Sequence, residues 1–252
     1  MTGIGCRQMG STLFRLSWAS CEDTETRDNL MTSMGSHVGA DICANPNGRG
    51  PTVYTVGHSN HSLQYFLNLL EGSGVSAIAD VRSYPYSRHN PQFNKESLRA
   101  ALFRNRISYA FLGKELGARS EDPSCYEHGR VQYTRLAGTR LFLSGIERVL
   151  SGAAKYRIAL MCAEKEPLDC HRTLLVSRAL SGRGADVRHI LPNGEVETHD
   201  ETILRMLDVV GLPRVDMFRS AQELINEAYV LREKKIAYID PAAIQHDDEC
   251  EQ

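Results

Sequence analysis

Positions 162 to 172 read Cys-Ala-Glu-Lys-Glu-Pro-Leu-Asp-Cys-His-Arg. Two thiols, an imidazole, carboxyl groups and a guanidinium in so short a run concentrate nucleophilic and proton-carrying chemistry. A thiol beside an imidazole and a cation gives up its proton more readily and becomes a nucleophile. The expected roles are Cys162 as nucleophile, His58 or His171 as base, and Glu164 assisting proton transfer. Cys170, His171 and Arg172 open a helical pattern, and a helix start with an added arginine favours an anion against its free N–H groups, here from Cys170 to Thr173. The plainer alternative makes Asp169 a helix cap and Cys170 a small buried residue. A cysteine-phosphatase loop is excluded, because the arginine that would close it is Leu168. For a metal, helix neighbours point about 100° apart, so only one of Cys170 and His171 joins Cys162 and Glu164, with a remote histidine such as His58 completing the set. No metal ligand is assigned on that basis, and the cofactor stays open.

Other polar groups stand where β-rich runs end. Val53 to Val56 stops at Gly57-His58-Ser59, and Val75 to Val81 runs into Asp80-Val81-Arg82-Ser83. Ligands of parallel sheets bind outside the carboxyl ends of the strands, so these ends and Cys162-Ala163-Glu164 are expected to share one site. Asp80 and Arg82, two apart in an extended chain, point to one side, as an ion pair or as part of the site. The loop from Tyr84 to Phe93 mixes Tyr84, Tyr86, Arg88 and His89. Aromatic faces beside arginines can stack a base and hold its phosphate; an ordinary packed loop is the alternative. The catalytic candidates are therefore Cys162, Glu164, His58, His171 and Asp80. The binding candidates are Ser59, Arg82, Arg88, Cys170 and Arg172, with stacking by Tyr84 or Phe93.

The elements that must position these groups follow from periodicity. Leu63, Phe66, Leu67 and Leu70 recur at helical spacing, as do Phe142, Ile146, Val149 and Leu150, and Leu174, Leu175, Ala179 and Leu180; Leu98, Ala101 and Leu102 mark a further helix. Alternating strands and helices predict an α/β domain over 52–212, with a mostly parallel open sheet of about five strands and helices on both faces, a Rossmann-like three-layer arrangement. A long connection, 113–134, is read as functional. The segment 213–252 holds a helix from Asp216 to Lys235, with Met217, Ala221, Leu224, Ala228 and Leu231 along one side, and an acidic tail. That side is expected to pack on the domain or to form a homodimer. Residues 1–51 lack lysine and periodicity and read as a poorly ordered extension; Met31 and Met34 are alternative starts.

The chain has 252 residues, with 29 Lys+Arg against 31 Asp+Glu and a net charge of −2. That balance speaks against a nucleic-acid coat or a polybasic membrane binder. A hydrophobic share of 42% argues for a folded core rather than global disorder. Seven cysteines without a CxxC pair fit free thiols in a reducing, cytoplasmic setting. The expected partner is a small anionic or nucleotide-like ligand; nucleic acid is less favoured, and a membrane is not expected.

These motifs together resemble the domain of unknown function 488 family from Thr52 to about His199. The resemblance is carried by Gly57-His58-Ser59, by Asp80-Val81-Arg82-Ser83 with Pro85, Ser87 and Phe93, by Leu112-Gly113 and Leu116-Gly117, and by Cys162-Ala163-Glu164 and Cys170-His171-Arg172. Ala118 departs from it, standing where the family usually has a second glycine. The resemblance implies a compact α/β domain and an enzymatic role for the cysteine and histidine motif, without a reaction.

Overall fold

The structure, a computed structural model, describes residues 50–241. The N-terminal extension up to residue 49 and the acidic tail lie outside the described residues. Strand β1 (Thr52–Gly57) and helix α1 (Leu63–Gly72) open the domain. Ser62 caps α1 by accepting from the Tyr65 N–H. Strand β2 (Ala77–Asp80), helix α2 (Lys95–Arg104) and strand β3 (Ser108–Phe111) follow. The long connection carries structure of its own: helix α3 (Gly113–Leu116), a hairpin of β4 (Tyr126–Glu127) and β5 (Arg130–Val131), and helix α4 (Tyr133–Ala137).

Helix α5 (Arg140–Ala153) leads into β6 (Ile158–Cys162), whose residues are all buried. A strand covered on both faces needs such a continuous apolar run. The next helix is not α-helical at its start. Arg172–Ser177 form a π-helical turn, and helix α6 (Arg178–Ser181) completes it. Strands β7 (Asp186–Ile190) and β8 (Val196–Thr198) precede α7 (His199–Val210), which starts in a Thr198/Glu201 capping box. Helix α8 is Ala221–Ile236, capped by Ser220 and Glu223. That start corrects the expected Asp216 and leaves Met217 93% exposed, outside the packed side. Leu231 is exposed too; Leu224, Ala228 and Tyr229 are the residues that α8 buries in the core.

The sheet has six strands rather than about five, in the order β3-β2-β6-β1-β7-β8. Four of its five neighbour pairings are parallel, and β8 returns antiparallel on β7 after the turn at Gly194. One face packs Tyr54, Val56, Ile78 and Met161 against α1 and α2. The other packs Val53, Ala79, Leu160 and Val187 against α5, α7 and α8. The chain leaves β2 toward β3 at one edge and leaves β6 toward β7 on the other side. Adjacent strands with diverging exits open a crevice at their carboxyl ends. No helix among the described residues is long and apolar enough to cross a membrane.

Candidate active site

The crevice between β2 and β6 holds a cavity of about 250 Å³. Arg82, Ser83 and Tyr84 from the end of β2 line it, facing Cys162, Ala163 and Glu164 from the end of β6 and His171 beyond. The backbone fixes this meeting. The Val81 N–H donates to the Met161 carbonyl, and the His58 N–H to the Cys162 carbonyl, extending the sheet past the strands. Gly57 and Gly113 let the loops close in. A Cβ on Gly57 would lie 1.9 Å from the Glu164 carbonyl oxygen, and one on Gly113 would lie 2.0 Å from that of Arg82.

At the inner wall, ligand atoms of Cys162, Glu164, Cys170 and His171 lie within 4.8 Å of one another. His171 Nε2 is 3.0 Å from the Val81 carbonyl, which can only accept, so Nε2 carries a hydrogen. Nδ1 then faces the sulfurs, 3.7 Å from Cys162 and 3.8 Å from Cys170. This corrects the expectation that Cys170 and His171 diverge. Cys170 has extended backbone (φ −134°, ψ 139°) and stands before the helix, so the 100° rotation between helical neighbours does not apply. Glu164 is an exposed residue, yet one carboxyl oxygen turns inward to lie within hydrogen-bond distance of Cys170 Sγ, at 3.0 Å.

The protons in this cluster are pulled in opposite directions. Burial pushes the Cys162 thiol well up, and the hydrogen bond and charge of Cys170 add to it. Burial also raises Cys170, but the Cys162 hydrogen bond, Arg172 and His171 outweigh it and hold Cys170 well below the usual thiol range. Burial alone would lower His171; the charge of Cys170 and its hydrogen bond lift it above the ordinary imidazole value. Burial and the Cys170 charge hold the Glu164 carboxyl up. The arrangement favours negative charge on Cys170 and leaves exchangeable protons on its neighbours.

The other candidates take different places. Arg172 is fully buried and donates to the carbonyls of Glu164 (2.6 Å) and Lys165 (3.4 Å). It braces the loop and is turned away from the cavity wall. The expected anion position at the helix start is occupied from within: the Arg172 N–H donates to Cys170 Sγ and the Thr173 N–H to the Cys170 carbonyl. Asp169, a helix cap in the plainer alternative, pairs with Arg232. Arg82 is buried and doubly bonded to Asp80, at 2.9 and 2.7 Å, and donates to the Phe93 carbonyl. Asp80 also accepts from the Tyr109 hydroxyl, so it positions Arg82 and lies outside the cavity wall.

His58 Nε2 accepts from Arg82, and Nδ1–H donates to the Ser59 carbonyl. Burial lowers its pKa to about 4. Both ring nitrogens are engaged, so His58 is removed from the expected base and metal-ligand roles. Ser59 and the exposed Arg88 are not in the cavity wall. Phe93 is fully buried and stacked on His58, 4.4 Å between ring centres, so it is not a surface for a base. Tyr84, 68% exposed, stays at the rim.

Sequence reasoning missed Arg119, Tyr133, Ile236 and Tyr238, which line the cavity together with Ala118 and Asp169. Arg119 sits over the Tyr238 ring at 4.5 Å, and among the described residues no carboxylate pairs with it. Tyr238 arrives because the chain after α8 adds to the hairpin, where Val131 N–H donates to its carbonyl. Only the placement of Arg119 and Tyr133 in the long connection could have drawn notice to them.

The family described as Domain of unknown function DUF488 matches residues 62–179, a range that starts after Gly57-His58-Ser59 and takes in Cys162 to Arg172. No curated protein and no solved structure matches the chain.

Proposed function

We propose, taking residues 62–179 as a member domain of the DUF488 family, that this protein is an enzyme for a small anionic or nucleotide-like ligand, with Cys162, Glu164, Cys170 and His171 as its reacting centre. One observation carries the reading. A cavity at the diverging exits of β2 and β6 has Cys162, Glu164 and His171 in one wall and Arg82 and Arg119 in the others. Reacting groups and two cations, with the Asp169 carboxylate beside them, thus face one open cleft, at the position where parallel sheets bind ligands. A volume of about 250 Å³ is enough for a phosphorylated sugar or a nucleotide fragment.

Arg82 spends four of its five N–H donors on Asp80, Phe93 and His58, leaving one for a ligand oxygen. Arg119 supplies an exposed charge at the mouth, and Tyr238 and Tyr84 supply ring faces. Cys162 is the sulfur in contact with the cavity. Glu164 and His171 are the groups placed to exchange a proton with what binds there.

The test incubates the full chain with inorganic phosphate, nucleoside monophosphates and sugar phosphates. Thermal stabilisation and mass-spectrometric product formation are followed together. Stabilisation by a member of the panel, with product that disappears in Cys162→Ser and Glu164→Gln while the stabilisation remains, is the expected result. A ligand that binds unchanged makes the protein a binding module, and no response from the folded chain removes the reading altogether.

A further inference from the structure

We infer that Cys162, Cys170 and His171, with Glu164 as fourth ligand, form a site for one thiophilic divalent cation of the zinc class. This rests on the reading of the same cluster as the reacting centre and gives it an ion.

The distances approach those of a tetrahedral shell, with both sulfur–imidazole separations inside its range and the sulfur–carboxylate separation shorter. Zinc binds thiolate sulfur at about 2.3 Å, imidazole nitrogen at about 2.0–2.1 Å and carboxylate oxygen at about 2.0–2.2 Å. Tetrahedral angles then put neighbouring ligand atoms roughly 3.3–3.8 Å apart. His171 Nδ1 is 3.7 Å from one sulfur and 3.8 Å from the other, and Cys170 Sγ is 3.0 Å from Glu164 Oε2. All four atoms fall within 4.8 Å of one another, so closing on an ion needs only small rotations of side chains.

The chemistry of the donors agrees. Two soft sulfurs with an imidazole select zinc over magnesium or calcium, which prefer oxygen shells. The outer shell is already built. His171 donates Nε2–H to the Val81 carbonyl, which fixes the tautomer that offers Nδ1 to a metal. The Arg172 N–H reaches Cys170 Sγ at 3.4 Å, as a donor does to a metal-bound thiolate. Arg172 also holds the Glu164 carbonyl, which sets the stem of the fourth ligand.

There is a path and an open side. Cys162, Glu164 and His171 line the cavity while Cys170 lies behind, so an ion enters from the cavity and faces whatever binds there. Glu164 is the one exposed member of the four, and it is the ligand that a substrate oxygen or water would replace. Three fixed ligands with one exchangeable position describe a catalytic site; a structural site is closed.

The experiment uses the full chain made without a histidine tag, kept reduced and dialysed against a weak chelator. Elemental analysis should return about one equivalent of zinc-class metal per chain. Stripped protein titrated with Co²⁺ should show a thiolate-to-cobalt charge-transfer band saturating at one equivalent. Cys170→Ser and His171→Ala should weaken cobalt binding on the order of 100-fold or more, a loss at least as large as outer-shell changes give. Cys125→Ser, a buried free cysteine outside the cluster, should leave the band unchanged and controls for folding. Under a tenth of an equivalent of metal (roughly) together with no cobalt band in folded protein overturns the ion site, as does a band that saturates in Cys170→Ser at the same cobalt concentration as in the unaltered chain. The ligand and product measurements on the same preparations stay informative in that case. A full equivalent of metal in a chain that responds to no ligand supports the ion site and removes the enzyme reading alone.

Discussion

Two buried clusters containing histidine lean on strand β1, and they are built on opposite terms. Thr55 Oγ1 meets His189 Nδ1 at 2.8 Å, His189 Nε2 meets His199 Nδ1 at 3.0 Å, and His199 Nε2 meets the Tyr229 hydroxyl at 3.2 Å. Each link needs one proton and has one. Two neutral imidazoles of a single tautomer order complete the chain, and none of its members borders the cavity at the end of β6. Two residues on, Gly57 packs against the loop that carries Glu164. There one sulfur, Cys170, is approached by Glu164, by His171 and by the Arg172 N–H, and three of the cluster's four members reach the cavity. Buried polar residues alone do not distinguish the two. What distinguishes them is whether protons and acceptors match, and whether the cluster opens to a ligand. The histidine chain is closed and matched; the sulfur cluster opens to a cavity, which is why the proposed chemistry is assigned to it.

The sharpest way to break this contrast acts on β1 itself. Gly57→Ala puts a Cβ against the Glu164 carbonyl, with the Arg172 guanidinium 3.3 Å away. Backbone must move, because neither neighbour is a flexible side-chain end that can yield. The expected loss is about 3 kcal/mol or more in denaturant unfolding, at the upper end for overpacking. The sulfur cluster should be disturbed while the histidine chain stays intact. Thiol reactivity of Cys162 and Cys170 read against Cys125 checks the first, and histidine ring signals in NMR check the second. Uniform loss of both would show that the two clusters are one cooperative unit.

Much of the site was legible because the chemistry of parallel sheets is positional. The exits of β1, β2 and β6 could be picked out as polar ends of apolar runs, and Cys162, Glu164, Cys170 and His171 do converge. The rest depended on contacts that no local pattern carries. A fully buried Arg172 reads as a surface cation until the carbonyls of its own loop are seen to take it. Phe93 reads as a stacking face until His58 is found lying on it. The extended backbone of Cys170 and the π turn after it break the helical geometry on which the metal argument from sequence depended. Tyr238 reaches the cavity only through hairpin pairing across more than a hundred residues.

Acidification should separate the clusters next. His199 is buried against Tyr229 and His189, and burial lowers its pKa to about 4, with the nearby Asp200 opposing only weakly. Burial, the neighbouring His199 and the charges of Arg172 and Arg205 push His189 down as well. A histidine free in the unfolded chain titrates near 6.5. As pH falls below that value the unfolded state takes up protons that the folded chain refuses. Stability is therefore lost between about pH 6.5 and 4, by roughly 3 kcal/mol for a group shifted as far as His199. Urea midpoints at neutral and mildly acidic pH measure it. The His199→Gln variant should be weaker at pH 7 but show a shallower fall. Parallel slopes for the two proteins would place the acid sensitivity elsewhere, among the carboxyl groups.

The smallest effect on stability should come from Arg119, the exposed cation in the cavity lining. Arg119 is exposed, and its guanidinium rests on Tyr238 with no carboxylate partner among the described residues. An exposed cation on a ring contributes about 0.5–1 kcal/mol at most. Arg119→Ala should therefore shift unfolding by no more than that, against about 3 kcal/mol for the buried glycine and histidine positions. Stabilisation by an anionic ligand should fall tenfold or more in apparent affinity, since a hydrogen bond to a charged group contributes about 1.5–3 kcal/mol. Arg119→Lys keeps the charge but loses the planar face and the fork, so partial retention is expected. Added salt should weaken the wild-type response more than that of Arg119→Ala. Should Arg119→Ala lose stability as the buried variants do, the mouth would belong to the fold, and the division between a matched interior and an open, reactive end would fail at the point where it is easiest to measure.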